Sequence, residues 1–153
     1  MSMDYQCNVD INFTNGDVKI EVTGGEEKFS FISGLGFMAL PEYFLVLLNL
    51  YKREATTSKV EYYGNWDYYN FSSDGTSLQI EYINPYSDEK SYYIFNLKQY
   101  ASAVDKAFST YIKQYRKNGI TPFKSEDHIN PLGETVIKFF NEFSTVINDH
   151  KTK

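Results

Sequence analysis

"YQCNVDINFTNGDVKIEVTG" (residues 5–24) decides how this chain begins to fold. Apolar residues alternate at Tyr5, Cys7, Val9, Ile11 and Phe13, and again at Val18, Ile20 and Val22. A period of two gives each run one apolar face and one polar face, the pattern of a half-buried strand. Between the runs stands Asn15-Gly16. Both central residues of a type I′ turn need positive φ, which Asn and Gly adopt at least cost, so the two runs form a hairpin. A two-residue loop sets the register. Phe13 then faces Val18, Ile11 faces Ile20, and Val9 faces Val22. On the other face Asn12 meets Lys19 and Asp10 meets Glu21. The last pair places like charges opposite each other, which costs stability in a sheet. At solvated positions that cost is small, and a basic partner would remove it.

The rest of the chain follows from this start. "GGEE" (24–27) makes a second turn and "KFSFIS" (28–33) a third strand. "LPEYFLVLLNLYKREA" (40–55) reads as a helix, with Pro41 near its first turn, Lys52 and Arg53 at its end, and an apolar middle that calls for deep burial. "KVEYYGNWDYYNFS" (59–72) reads as a fourth strand, bent or bulged at Gly64, followed by an Asp74-Gly75 turn and a fifth strand, "SLQIEYIN" (77–84). "SYYIFN" (91–96) is the sixth. Leu97, Tyr100, Ala101, Val104, Phe108, Tyr111, Ile112 and Tyr115 recur at helical spacing behind an Asn96 cap. A final helix begins at an Asn130 cap and Pro131, with a stripe of Val136, Phe139, Phe140, Phe143, Val146 and Ile147. The expected order is βββα-βββα-α. Short turns make antiparallel pairs. The sequence therefore predicts a single α+β domain over 1–153, an antiparallel sheet of about six strands in two meanders with helices packed on one face.

A sheet covered on one face leaves the other open to water. If Asp74-Gly75 is a two-residue loop, Phe71 faces Leu78 and Tyr69 faces Ile80 in the core. The outer face pairs Asn70 with Gln79 and Tyr68 with Glu81, and brings Trp66 near Ile83. Aromatic and amide side chains beside carboxylates are the composition of a recognition surface. The candidate partner-binding residues are Asp10, Glu21, Trp66, Asp67, Tyr68, Asn70, Gln79 and Glu81. Three environments suit that face: contact with a protein partner, cover by the last helix or a second copy of the chain, and a platform for a small ligand. A slip of one residue in the turn would exchange the two faces.

Composition narrows the function further. The single cysteine, Cys7, rules out an internal disulfide and fits a reducing, cytoplasmic setting. The opening "MSMDYQCNVD" lacks the features of a secretion signal, and "FMALPEYFLVLLNLY" is too short and interrupted to span a bilayer. Residues 1–89 hold fourteen acids and five bases, and residues 90–153 six acids and ten bases. The acidic half suits a basic partner. With only two arginines, Arg53 and Arg116, the chain is poorly supplied for nucleic acid. No metal or cofactor motif occurs. Glu61, Asp67 and Glu81 could in principle pair for glycosidic chemistry, and His128, in "SEDHINP", could serve as an acid or base. The alternative to a binding protein is thus a small-ligand protein or small hydrolase with a pocket between sheet and helices.

In size, element order and acidic charge, with strands rich in Tyr and Asn, the chain resembles the immunity proteins of bacterial polymorphic-toxin systems, including those of contact-dependent growth inhibition. The resemblance implies a cytoplasmic protein, not an enzyme, that binds and neutralises one cognate toxin domain, often a basic nuclease, without a cofactor. It also implies roles for the outer-face residues: Asp10, Glu21, Asp67 and Glu81 as steering charges, Trp66 and Tyr68 as buried anchors.

Overall fold

The fold is that of a computed structural model, which describes residues 7–14, 17–34, 36–54, 56–61, 66–87, 90–117 and 134–151. Strands β1 (Asn8–Thr14), β2 (Asp17–Gly24) and β3 (Glu27–Ser33) lead into helix α1 (Gly36–Tyr51). Strands β4 (Thr57–Glu61), β5 (Tyr68–Ser73), β6 (Ser77–Ile83) and β7 (Lys90–Asn96) follow, then helices α2 (Leu97–Lys117) and α3 (Glu134–Lys151). The α+β class and the antiparallel pairing are as the sequence implies. The strands form two sheets, β1-β2-β3 and β4-β5-β6-β7, each a meander in chain order.

Asn15 and Gly16 lie outside the described residues, but the first hairpin has the register expected from the sequence: Val9 pairs with Val22, Asp10 with Glu21, Ile11 with Ile20, Asn12 with Lys19 and Phe13 with Val18. Val18, Ile20 and Val22 are buried, and so are Phe29 and Phe31 on β3.

The stretch 59–72 corrects the sequence reading. It is not one bent strand but a hairpin, in which β4 and β5 pair from Thr57↔Ser72 to Glu61↔Tyr68. The chain therefore has seven described strands in two sheets rather than about six in one. The next hairpin is displaced by two residues from the expected register: Phe71 pairs with Ile80, Tyr69 with Tyr82 and Asn70 with Glu81. The turn is longer because the Asp74 carboxylate accepts hydrogen bonds from the N–H groups of Thr76 (2.9 Å) and Ser77 (2.8 Å), an Asx turn that holds Gly75 at φ +98°. A displacement of two leaves every side chain on its expected face, since strand faces alternate with period two.

Helix α1 starts earlier than expected, at Gly36, so Pro41 lies inside it rather than at its start. Its end is closed by Arg53 N–H donating to the Leu50 carbonyl (3.2 Å) and Glu54 N–H to that of Asn49 (2.9 Å), with Arg53 itself at φ 61°. This is the left-handed closure that glycine usually supplies. Helix α2 is capped as its sequence suggests, by Asn96 Oδ1 accepting from Gln99 N–H at 3.0 Å. Asn130, Pro131 and His128 lie outside the described residues.

Aromatic rings join the layers. Phe31 packs on Tyr43 of α1 (centroids 4.8 Å apart) and Tyr69 of β5 (5.1 Å). Phe44 meets Phe108 of α2 (4.9 Å) and Phe143 of α3 (5.7 Å). Two tyrosine hydroxyls lie within this core, Tyr43 and Tyr100, and they bond each other at 2.7 Å. Burial pushes both phenols well above their ordinary pKa, so both stay neutral. The Tyr69 hydroxyl accepts from Ile32 N–H (3.1 Å) and donates to the Ile32 carbonyl (3.0 Å). It thereby occupies the outer edge of β3 where another strand could otherwise pair.

Candidate functional site

The face of β4–β7 that points away from the core is built in rows, because residues directly opposite one another share a face. Lys59, Asn70, Glu81 and Tyr92 form the central row. Thr57, Ser72, Gln79 and Ile94 form the row on one side of it. Tyr68, Ile83 and Lys90 lie on the other side. Tyr92 and Ile94 are exposed, at 54% and 57%.

The central row is held together by hydrogen bonds. Asn70 Nδ2 donates to Glu81 Oε1 at 3.3 Å. The Tyr92 hydroxyl donates to Glu81 as well, and these two donors, Tyr92 first, hold the Glu81 carboxyl below the usual glutamate range. The same bond raises the pKa of Tyr92. Lys59 Nζ stands 4.4 Å from the centroid of the Tyr68 ring, a cation–π contact. Glu81 and Lys59 are thus held in position by neighbouring rings and an amide.

At the end of the sheet where β5 begins and β6 ends, Trp66 and Tyr86 extend from separate loops. Their rings meet edge to face with centroids 6.2 Å apart, yet Trp66 is 70% exposed and Tyr86 76%. Large aromatic side chains this exposed are poorly solvated by water.

The sequence-predicted residues divide into three groups. Tyr68, Asn70, Gln79 and Glu81 share this outer face, whereas Trp66 stands on the loop at the end of the sheet where β5 begins. Asp67 does not join them: it is buried at 4% exposure and accepts a hydrogen bond from the Tyr82 hydroxyl. A carboxylate inside the fold does not steer a partner, so its place here is to tie the β4–β5 loop to β6. Asp10 and Glu21 face each other on the first sheet, as expected, but Glu21 lies 3.7 Å from Lys19 and 3.9 Å from Lys28. The like-charge pair is therefore answered within its own sheet.

The sequence reading missed Lys59, Tyr86, Tyr92 and Ile94. "SYYIFN" is apolar at both parities, so only the register of β6 against β7 shows that Tyr92 and Ile94 face outward. Cys7 is half-buried, which raises its thiol pKa and leaves it a poor nucleophile. Among the described residues, no group of three or more His, Cys, Asp and Glu is arranged to hold a metal, and no helix is long and apolar enough to cross a membrane. The chain matches no protein-family model, no curated protein and no solved structure.

Proposed function

We infer that this chain is a protein-binding module whose contact surface is the outer face of β4–β7, and that it acts as an immunity protein, neutralising a cognate toxin domain by occupying it rather than by chemistry of its own. The single observation that carries this reading is the exposed Trp66–Tyr86 pair adjoining the ordered row Lys59, Asn70, Glu81 and Tyr92. Aromatic anchors with few rotatable bonds lose little entropy when buried in an interface. Polar groups already held by their neighbours lose little more. The net charge of −5 favours a basic partner, whose approach it accelerates.

Coexpression with the proteins encoded beside it tests the reading. The expected result is a one-to-one complex with a basic protein whose toxicity the complex abolishes. A chain that forms no such complex and protects no cell would remove the reading. A self-association that buries Trp66 and Tyr86 would replace it with a homodimer, which molecular mass in solution detects.

A further inference from the structure

A second site lies on the opposite element of the fold, along α2. Strand β1 is the outermost strand of its sheet, and no described strand pairs with its outer edge. That edge borders an open groove of about 1270 Å3 against α2. Residues from both faces of β1 line the groove: Asn8 and Asp10 from one, Cys7, Val9 and Ile11 from the other. A strand contributes both of its faces to one groove when its edge is what borders the space. Backbone N–H and C=O groups at a sheet edge are a template for another strand.

Asp105 of α2 also lines this groove. It is only 6% exposed. Asn148 Nδ2 of α3 approaches its Oδ2 at 3.4 Å, but Oδ1 is buried with no hydrogen-bond partner. A buried carboxylate oxygen without a partner is costly. It becomes favourable when a cation supplies the missing hydrogen bonds. Three lysines, Lys98, Lys106 and Lys113, stand exposed along the same helix where it meets solvent. The groove therefore presents two carboxylates, exposed Asp10 on β1 and buried Asp105 on α2, together with the three exposed lysines. Its volume exceeds the roughly 300–1,000 Å3 typical of small-molecule pockets.

We propose that this groove takes an extended peptide segment of a partner protein, paired with the outer edge of β1, with an arginine side chain reaching Asp105 and acidic residues on either side of that arginine meeting the lysines. Backbone pairing gives the affinity of such strand addition, and the side-chain site gives its selectivity. This surface is distinct from the β4–β7 face. It neither requires that face to bind nor fails if that face does not.

The test uses the full chain, isotope-labelled, titrated with the blocked peptide acetyl-Glu-Val-Arg-Val-Glu-amide and with the same peptide carrying norleucine in place of arginine. The arginine peptide is expected to shift the amide resonances of residues 8–11 and the side-chain amide of Asn148 saturably, and to bind about tenfold tighter than its norleucine form. Asp105→Asn is expected to reduce that difference severalfold, the remainder being the attraction of Asp10, while leaving the norleucine peptide's affinity unchanged. Lys106→Glu is expected to weaken the arginine peptide through its acidic flanks. Equal binding of the two peptides to the unaltered chain, no saturable shift up to millimolar peptide, or shifts confined to β4–β7 would each overturn the proposal. So would shifts of residues 8–11 that depend on protein concentration without peptide, since a second copy would then be the occupant. The comparison of the two peptides on the unaltered chain decides the matter even if Asp105→Asn does not fold.

Discussion

Tyr43 and Tyr100 are fully buried, and their hydroxyls, 2.7 Å apart, bond each other. Changing either one to Phe removes a single oxygen and leaves the other hydroxyl in an apolar core without its partner. An unsatisfied buried group of this kind costs about 1–3 kcal/mol. For a domain of this length, 1 kcal/mol lowers Tm by roughly 2–4 °C, so each single variant should melt several degrees below the parent. The double variant removes both hydroxyls together and leaves two phenyl rings in an apolar core. Its cost should be close to zero, because no polar group is then stranded. The two changes are therefore strongly coupled, with an interaction energy of about −2 kcal/mol or larger in magnitude. Urea denaturation followed by far-UV circular dichroism measures all four proteins. Fluorescence is a poor probe here, since the only tryptophan is already 70% exposed in the folded state. Additive losses, with the double variant costing the sum of the singles, would refute the reasoning. They would mean that each hydroxyl has its own separate partner.

Other outcomes follow from single sites. Gly75→Ala should cost about 1–2 kcal/mol, because Gly75 sits at φ +98° and an added Cβ would come within 3.0 Å of the Arg53 guanidinium; an unchanged denaturation midpoint would contradict this. Tyr69→Phe should lower stability by about 1–2 kcal/mol and increase aggregation, since it uncovers the Ile32 N–H and carbonyl at the edge of β3; a variant as stable and soluble as the parent would argue that water replaces the hydroxyl fully. Asp105→Asn should raise Tm in the absence of any ligand, by an amount equivalent to about 1 kcal/mol, because it removes the buried charge whose Oδ1 lacks a partner; a lower Tm would show that the carboxylate is stabilising. Glu81 should titrate below an ordinary glutamate, because Tyr92 and Asn70 donate to its ionised form. A depressed folded-state pKa gives stability that is present above the unfolded value and is lost as pH falls through the folded one. In Tyr92→Phe the titration, followed by NMR, should move back up, and no movement would remove Tyr92 as the cause.

The legible parts of this fold are those in which local chemistry and periodicity agree. Asn15-Gly16 implies a two-residue loop from sequence, and the register of β1 on β2 agrees with that expectation residue by residue. Asn96 announces the start of α2 because its side chain can satisfy a helix N–H that nothing else reaches. The segment 59–72 is harder to read because aromatic residues recur at both parities, so the period-two pattern does not show where one strand ends and the next begins. Gly64-Asn65 signals a break there, but a bulge and a reversal share that signal. The Asp74 turn misled by its length alone: Asp-Gly permits a two-residue loop, but the Asp74 side chain instead bonds two following N–H groups and lengthens it. The faces survived because the displacement was even.

The candidate surface was partly legible for the same reason. Tyr68, Asn70, Gln79 and Glu81 follow from parity, and parity also places Asp67 inward with Tyr69 and Phe71, against its assignment to the surface. What parity does not show is the Tyr82 hydroxyl, from a different strand, that satisfies the buried carboxylate. Tyr86 lies in a loop and meets Trp66 only in three dimensions. Asp105 carried a signal that went unused: it falls on the apolar stripe of Ala101, Val104, Phe108 and Ile112, where an acid is out of place.

The most direct test of the account is the affinity of Trp66→Ala for a coexpressed partner, measured by titration calorimetry alongside the unaltered chain. Trp66 is exposed in the folded chain, so the variant should keep its circular dichroism spectrum and its Tm. Loss of an aromatic anchor should weaken binding by about 2 kcal/mol, roughly thirtyfold. An affinity equal to that of the parent would place the contact elsewhere and contradict the assignment of the β4–β7 face. A variant that unfolds would contradict it too, because the residue would then belong to the core.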